Sequence, residues 1–360
     1  MRIGIDISQV IYGTGVSIYT KNLVENLLLL DKENEYILFG GSARRKGELD
    51  FYVKGLDGNF SRKLYNIPPS LADFVWNRLH VLNIEYLTGK IDIFHSSDWT
   101  QPPGKCLKVT TVHDLSPIRY PKLTDGKIIS NTKARMRWIK KEVDRIIVPS
   151  QATKKDLELL GVNQAKITVI PEASSSFFKP INKSEVDKIK KKYKLSDYIL
   201  AVGVGERKNS KRLIEAWRKV KGDLNCDLVF VGLPPKGFDI EKDRGIHFLG
   251  QVKNPDLRGL YNGAVCLAYP SLYEGFGLPI LQAFACGCPV VTSNLSSMPE
   301  VAGKAAVLID PFRVDSIAQG IISAFKSSEP LVKKGMVRVK EFSWKKVAER
   351  TLEVYRNLEG

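Results

Sequence analysis

Between Tyr269 and Glu300 the chain reads YPSLYEGFGLPILQAFACGCPVVTSNLSSMPE, a pattern that admits few local structures. Pro270 and Ser271 close the apolar run 265–269, which predicts a strand. Glu274-Gly275-Phe276-Gly277 predicts a turn, because two glycines permit backbone angles that side chains forbid. Pro279 falls in the first turn of a following helix, where its missing N–H costs nothing. Ile280, Leu281, Phe284 and Ala285 form the buried stripe of that helix, Gly287 ends it, and 289–292 is the next strand. Such a strand–turn–helix–strand unit points to α/β architecture. A helix start behind a glycine turn offers N–H groups and a positive dipole end, which suits phosphate. Glu274, just ahead of it, suits sugar hydroxyls. The spacing alone also fits an ordinary strand–turn–helix with Glu274 as a solvated turn residue.

At 360 residues the chain exceeds one typical domain and suits two α/β domains. No run of 18 apolar residues exists to span a bilayer. MRIGIDISQV enters a strand at once, without the pattern of a secretion signal. The five cysteines are scattered and lack CxxC pairs, so a reduced, cytoplasmic chain without structural zinc is expected. A net charge of +16 calls for an anionic partner: nucleic acid, a membrane surface or a phosphorylated substrate. With no zinc finger, RNP sequence or basic zipper, no nucleic acid partner is expected.

In chain order, residues 2–7 predict a strand and Tyr12-Gly13-Thr14-Gly15-Val16 a glycine turn before a helix over 17–30. This Gly-x-Gly is too short for a dinucleotide fingerprint, yet it brings backbone N–H groups to a helix start. Residues 35–39 predict a strand, and 72–86 a helix carrying Phe74, Val75, Trp76, Leu79 and Leu82. Two further strands end in His95-Ser96-Ser97-Asp98 and in His113-Asp114. Ligands in open α/β sheets sit outside the carboxyl ends of strands, which nominates His95 and His113. By position alone His113 is a structural loop histidine. Residues 127–145 predict a helix with Ile129, Thr132, Met136, Ile139 and Val143 on a buried stripe. Lys133, Arg135, Arg137, Lys140 and Lys141 occupy its other faces, either as a solvated basic surface or as a patch for anionic lipid or a phosphate-linked acceptor. Ser150 is the expected cap of a helix from Gln151. After a strand over 167–170, residues 173–192 read as a linker, with three serines, Pro180 and a lysine-rich tail.

The second half restarts with a strand over 198–202, followed by Gly203-Val204-Gly205-Glu206-Arg207-Lys208-Asn209-Ser210 and a helix over 212–220. A glycine turn, two cations and a helix start make an anion site or merely a charged surface loop. Arg207 can fork onto phosphate oxygens, while Lys208 acts as a point charge. Phe342-Ser343-Trp344 opens a terminal helix.

Together these motifs resemble the retaining glycosyltransferases of family 4, the group 1 glycosyltransferases. The family hallmark is Glu-x7-Glu, then a Gly-x-Pro-Val-Val-x-Ser strand and Pro-Glu-Val. It stands here as Glu274, Gly287-Cys288-Pro289-Val290-Val291-Thr292-Ser293 and Pro299-Glu300-Val301, with Gln282 in place of the second Glu. His113-Asp114 matches the family's His-Asp dipeptide, and Arg207-Lys208-Asn209 its Arg-Lys-Asn, on a loop one residue shorter. The likeness is strongest over 198–310 and weakest over 40–92.

The resemblance implies an α/β GT-B fold, with two doubly wound parallel-sheet (Rossmann-like) domains facing across a cleft. The acceptor-side domain is expected over 1–172 with 344–360, the nucleotide-sugar domain over 193–343, and the linker over 173–192. The implied reaction moves a sugar from a nucleotide diphosphate to a hydroxyl of a glycan or lipid-linked acceptor, with retention. Similar-looking members use GDP-mannose. Arg207, Lys208 and the helix starts behind Gly15 and Gly277 would hold the diphosphate. Gly203, Phe276 and Leu278 would line the donor, Glu274 and His113 would contact the sugar, and Gln282 the ribose. Gly13, His95 and Asp114 fall on the acceptor or sugar side. With no Asp-x-Asp motif, neither metal nor other cofactor is expected. The expected location is cytoplasmic and peripheral to the inner membrane face, through the basic 127–145 helix. A GT-B epimerase would need no acceptor, and a phosphorylase would need inorganic phosphate. Gln282 keeps open a non-catalytic sugar-nucleotide-binding scaffold.

Overall fold

The computed structural model describes residues 1–96, 99–239 and 243–359; Ser97 and Asp98, expected at a strand end, lie outside them. The chain forms two compact units, Met1–Glu172 with Trp344–Gly360, and Ala173–Ser343.

In unit 1 the strands are β1 (Arg2–Asp6), β2 (Glu35–Gly41), β3 (Phe60–Tyr65), β4 (Ile93–Ser96), β5 (Leu107–Thr111), β6 (Arg145–Val148) and β7 (Ile167–Val169). They make one parallel sheet in the order β3-β2-β1-β4-β5-β6-β7. Its helices are α1 (Gly15–Leu30), α2 (Lys46–Lys54), α3 (Pro69–Ala72), α4 (Glu85–Thr88), α5 (Ser116–Arg119), α6 (Gly126–Glu142) and α7 (Gln151–Leu159). Tyr36, Ile37, Leu38 and Phe39 are all buried, as a parallel strand covered on both faces requires. Ser150 caps α7 by accepting the Thr153 N–H.

Unit 2 runs α8 (Lys183–Tyr193), β8 (Tyr198–Val202), α9 (Ser210–Leu224), β9 (Asp227–Val231), β10 (Ile246–Phe248), α10 (Asn254–Gly263) and β11 (Cys266–Tyr269). It continues through α11 (Leu278–Ala285), β12 (Val290–Ser293), α12 (Met298–Ala302), β13 (Val307–Ile309), α13 (Val314–Lys326) and α14 (Ser328–Arg338). Its six strands are parallel in the order β10-β9-β8-β11-β12-β13. Alternate strand residues feed two cores. Leu200, Val229, Leu267 and Val290 pack with Tyr261 and Phe284 on one face. Ile199, Leu228, Phe230 and Val291 pack with Trp217 and Ile321 on the other. The last helix, α15 (Trp344–Glu359), belongs to unit 1 and packs on α1.

Four local expectations change. The 72–86 helix does not form: the backbone widens into a π-helix over Asp73–Leu79 and stops at His80, whose φ is +54°. The imidazole Nδ1 sits 2.8 Å from Trp76 O, occupying the carbonyl that a continuing helix would use. Of the expected stripe, Trp76 is buried, whereas Phe74, Leu79 and Leu82 are exposed. The basic helix ends at Glu142, and Arg145 opens β6. Arg135 is not on its solvated face: it is buried and donates to Thr110 Oγ1 and Thr111 O, each at 3.0 Å. The supposed linker contains α8, started by an Asn182/Glu185 capping box and packed on α10.

Candidate active site

In unit 2 the strand order reverses between β8 and β11, the switch point outside which open α/β sheets bind ligands. Arg207 and Lys208 follow β8, and Glu274 follows β11, so strand order joins residues far apart in sequence. Lys208 Nζ donates to Glu274 Oε1 at 2.6 Å and to the Tyr269 hydroxyl at 2.7 Å. Arg207 Nη1 donates to Glu274 Oε2 at 2.9 Å and to Tyr273 O at 2.8 Å. Two cations thus share one carboxylate.

Glycine makes this possible at Gly203, where φ is +88° and a Cβ would lie 2.7 Å from Lys208 Cε. The lysine stem lies across that bare backbone. Asn209, at φ +60°, precedes α9 and ties the loop down by donating to Pro270 O and Pro311 O. Ser296 and Ser297 donate to Glu274 O, and Ser297 also reaches Phe276 O. These serines and Tyr269 carry no motif signal, and sequence reasoning missed them.

Glu274 is nearly enclosed, with 8% of its surface exposed. Burial alone would raise its pKa. Lys208 and then Arg207 outweigh that and hold the carboxyl down at about 2. The group is therefore a fixed anion at neutral pH. Gly277, at φ +108°, caps α11, and the helix start faces its positive dipole end toward the turn carrying Phe276 and Gly277. Leu278 opens α11, and Gln282 lies buried on its second turn, where Oε1 accepts the Tyr261 hydroxyl at 3.0 Å. Gln282, expected to meet a ribose, thus has its amide oxygen engaged within the core.

In unit 1, Gly13 has φ +69°, and a Cβ added at Gly13 or Gly15 would meet nothing within 4 Å, so the turn is open backbone. Thr14 and Ser17 form the capping box of α1. His113 follows β5 and is buried, with Nδ1 2.8 Å from Glu172 Oε1 and its ring edge-on to Tyr19 at 4.5 Å. Glu172 follows β7 at the same carboxyl edge of the sheet, and no motif marked it. Asp114 is a turn residue whose Oδ1 accepts both the Ser116 N–H and hydroxyl at 2.8 Å. His95 departs from expectation. It is buried within β4, its Nδ1 against the Tyr355 hydroxyl and its Nε2 2.8 Å from Thr111 Oγ1. Burial, helped by the neighbouring His113, pushes its pKa down to about 3. It is a neutral core residue rather than a sugar contact.

The described residues contain no cluster of three or more His, Cys, Asp or Glu suited to a metal ion, and no helix long and apolar enough to cross a membrane. All five cysteines are unpaired.

Residues 13–173 match the sequence profile of Glycosyltransferase Family 4, and 196–327 that of Glycosyl transferases group 1. The O-antigen chain mannosyltransferase B of Escherichia coli is 30% identical over 74% of this chain and 74% of its own length. The longer serotype-specific mannosyltransferase WbdA of Escherichia coli is 27% identical over 69% of this chain, which spans 33% of that protein. Among solved structures, Anabaena HepE in complex with UDP and glucose superposes with a TM-score of 0.73 at 16% identity, covering 99% of this chain and 100% of HepE. The sequence match, the paired parallel sheets and the cations beside Glu274 agree: the chain is a glycosyltransferase of family 4, the group 1 glycosyltransferases, with the GT-B fold.

Proposed function

We propose that the protein transfers mannose from GDP-mannose to a hydroxyl of a growing O-antigen-type glycan, with retention of anomeric configuration and without a metal ion. The observation that carries this reading is the Arg207–Glu274–Lys208 cluster at the switch point of the unit 2 sheet. Two fixed cations and a helix start suit a diphosphate leaving group, where preorganised charge lowers the barrier without covalent chemistry. The Glu274 carboxylate suits sugar hydroxyls and positive charge developing on the ring. The acceptor hydroxyl passes its proton to the leaving phosphate, so no separate base is needed.

The choice of mannose and of an O-antigen-type acceptor is supported by the Escherichia coli relative, and that of a nucleoside diphosphate by HepE, whose complex contains UDP. His113, oriented by Glu172, takes the sugar contact that the family resemblance gives it. With Oε1 of Gln282 committed to Tyr261, its Nε2 is the group left to donate to a ribose oxygen. A lipid-carried acceptor would stand on an anionic surface that the basic side of α6 suits.

The test is incubation with a panel of nucleotide sugars and a mannosylated acceptor, in buffer and in excess EDTA. The expected result is release of GDP from GDP-mannose, a product of retained configuration by NMR, and turnover unchanged by chelation. Turnover with another donor alone, an inverted product, or activity lost to EDTA and restored by magnesium would each overturn the corresponding element. A protein that binds a nucleotide sugar but turns none over would be a scaffold rather than an enzyme.

A further inference from the structure

The segment between β3 and β4 carries features that sugar transfer does not use. Its π-helix ends in a turn where two non-glycine residues are left-handed, His80 at φ +54° and Leu82 at φ +66°. A leucine in that region is strained and persists only where its surroundings impose it. Here they do. The His80 ring stacks on Trp138 of α6, centroids 3.5 Å apart and planes 6° from parallel. Its Nε2 lies 2.9 Å from Glu142 Oε1. Trp76 Nε1 donates to Leu82 O at 3.0 Å, and Trp138 Nε1 to Asn77 O at 2.7 Å. The turn is bolted to the basic helix.

What it holds outward is aliphatic. Leu79 is 54% exposed, Val81 51% and Leu82 45%, and Leu71 and Phe74 stand open in the same segment. Adjacent large apolar side chains exposed together mark an interaction site, whereas single ones need no explanation. Lys133, Arg137, Lys140 and Lys141 are exposed on α6, with Arg137 and Lys141 lying over the Trp138 ring. The acids here are turned to internal partners: Asp73 to Asn77 and Arg78, Glu142 to Lys108 and His80, Glu85 to the backbone of 105 and 106. The face is apolar at its tip and cationic around it. Protein interfaces are depleted in lysine, whereas this arrangement matches the boundary of an anionic bilayer.

We propose that the 79–82 turn inserts into an anionic lipid surface while the α6 cations face the headgroups, seating unit 1 on a membrane. The inference deepens the reading of a lipid-carried acceptor, but its test needs neither donor nor acceptor.

The experiment is flotation of the full chain with vesicles of phosphatidylcholine alone or mixed with phosphatidylglycerol. Wild type is expected to float with the anionic vesicles at low salt and to be partly released by high salt. Leu79→Ser with Val81→Ser should weaken binding by ~10-fold or more, since each aliphatic side chain removed from water is worth that much. Arg137→Gln with Lys141→Gln should weaken it by roughly 10-fold at low salt and little at high salt. Thermal melting should match wild type in both variants, which excludes misfolding. Equal binding to neutral vesicles, or serine variants that float like wild type, would overturn the proposal. So would a dimer in size-exclusion chromatography that the serine variants dissociate, because the face would then be occupied by a second copy. Flotation without sugar transfer would instead refute only the transfer reading.

Discussion

Lys208 Nζ sits 2.6 Å from Glu274 Oε1, joining the loop after β8 to the turn after β11. With Arg207 on the other carboxylate oxygen, both cations proposed for a diphosphate already share one carboxylate of the same unit. Under the proposed reading, a diphosphate bound to these cations competes with Glu274 for them, and a released carboxylate would be available to the sugar. On that reading, binding and activation would be one exchange of partners.

The exchange predicts opposite effects from one substitution. Glu274→Gln should lower sugar transfer by ~100-fold, the loss of one preorganised charged group. The same change should tighten nucleoside diphosphate binding by roughly 10-fold, because no carboxylate competes for Arg207 and Lys208. Without ligand it leaves two cations uncompensated and should cost about 3 kcal/mol of stability, recovered on saturation with diphosphate. Lys208→Ala should instead weaken both binding and transfer. Calorimetry with the diphosphate decides; looser binding to Glu274→Gln would refute the competition.

Stability should fall with acid in two overlapping windows, of which only the first covers pH 6.5 to 4.5. His95 has a folded pKa of about 3 against an ordinary 6.5. Its penalty is absent above pH 6.5 and grows as pH falls toward 3, because only the unfolded chain takes up the proton. Glu274 has a folded value of about 2 against 4.5, so its contribution is intact above pH 4.5 and is lost between 4.5 and 2. His95→Gln should flatten the melting temperature between pH 6.5 and 4.5, and Glu274→Gln should leave that window alone. A wild-type Tm constant from pH 7 to 4.5 would contradict the burial of His95.

Glu172 is expected to position His113. Its Oε1, 2.8 Å from Nδ1, fixes which ring nitrogen carries the proton and where the other points. Glu172→Gln should lower kcat roughly 10-fold or more, the worth of a hydrogen bond to a charged group, with donor KM nearly unchanged. It should also alter the pH profile of kcat, which a merely structural residue would not do. An unchanged profile with normal kcat would remove Glu172 from the mechanism.

Gln282→Glu offers a fourth measurement. The new carboxylate would still accept the Tyr261 hydroxyl, as a stronger charge-assisted bond, but it would lose the Nε2 donor. Nucleotide affinity should fall by several-fold if Nε2 serves the ribose, since about 1 kcal/mol rides on one neutral hydrogen bond. Tighter binding by calorimetry would mean that the ribose is gripped through an acceptor.

The alternation of strands, glycine turns and helices was readable because parallel strands buried on both faces are uniformly apolar and their turns require glycine. Arg207, Lys208 and Glu274 could each be nominated, since each follows a strand. Their mutual pairing could not, because only the β8–β11 adjacency brings residues 66 or more positions apart into contact. His95 looked like a ligand for the same reason that His113 did. What separates them is Tyr355, a partner 260 residues away. Residues 72–86 carry helical periodicity, but π winding rotates the stripe, so Leu79 and Leu82 emerge where burial was expected. Arg135 had the sequence context of a surface cation, and only its fit against Thr110 and Thr111 reveals it as a core hydrogen-bond donor.

The return of α15 to unit 1 sets an order of events during synthesis. Tyr355 is fully buried against His95, and Trp344 packs its ring against Tyr19 of α1. Residues 173–343, by contrast, leave the ribosome as a contiguous block with both of its cores complete. The unit begun first is therefore finished last: until residue 355 has been made, the His95 and Thr111 side chains stand without their closing helix. A chain stalled before residue 355 would carry an incomplete first unit and a second unit with both of its cores complete.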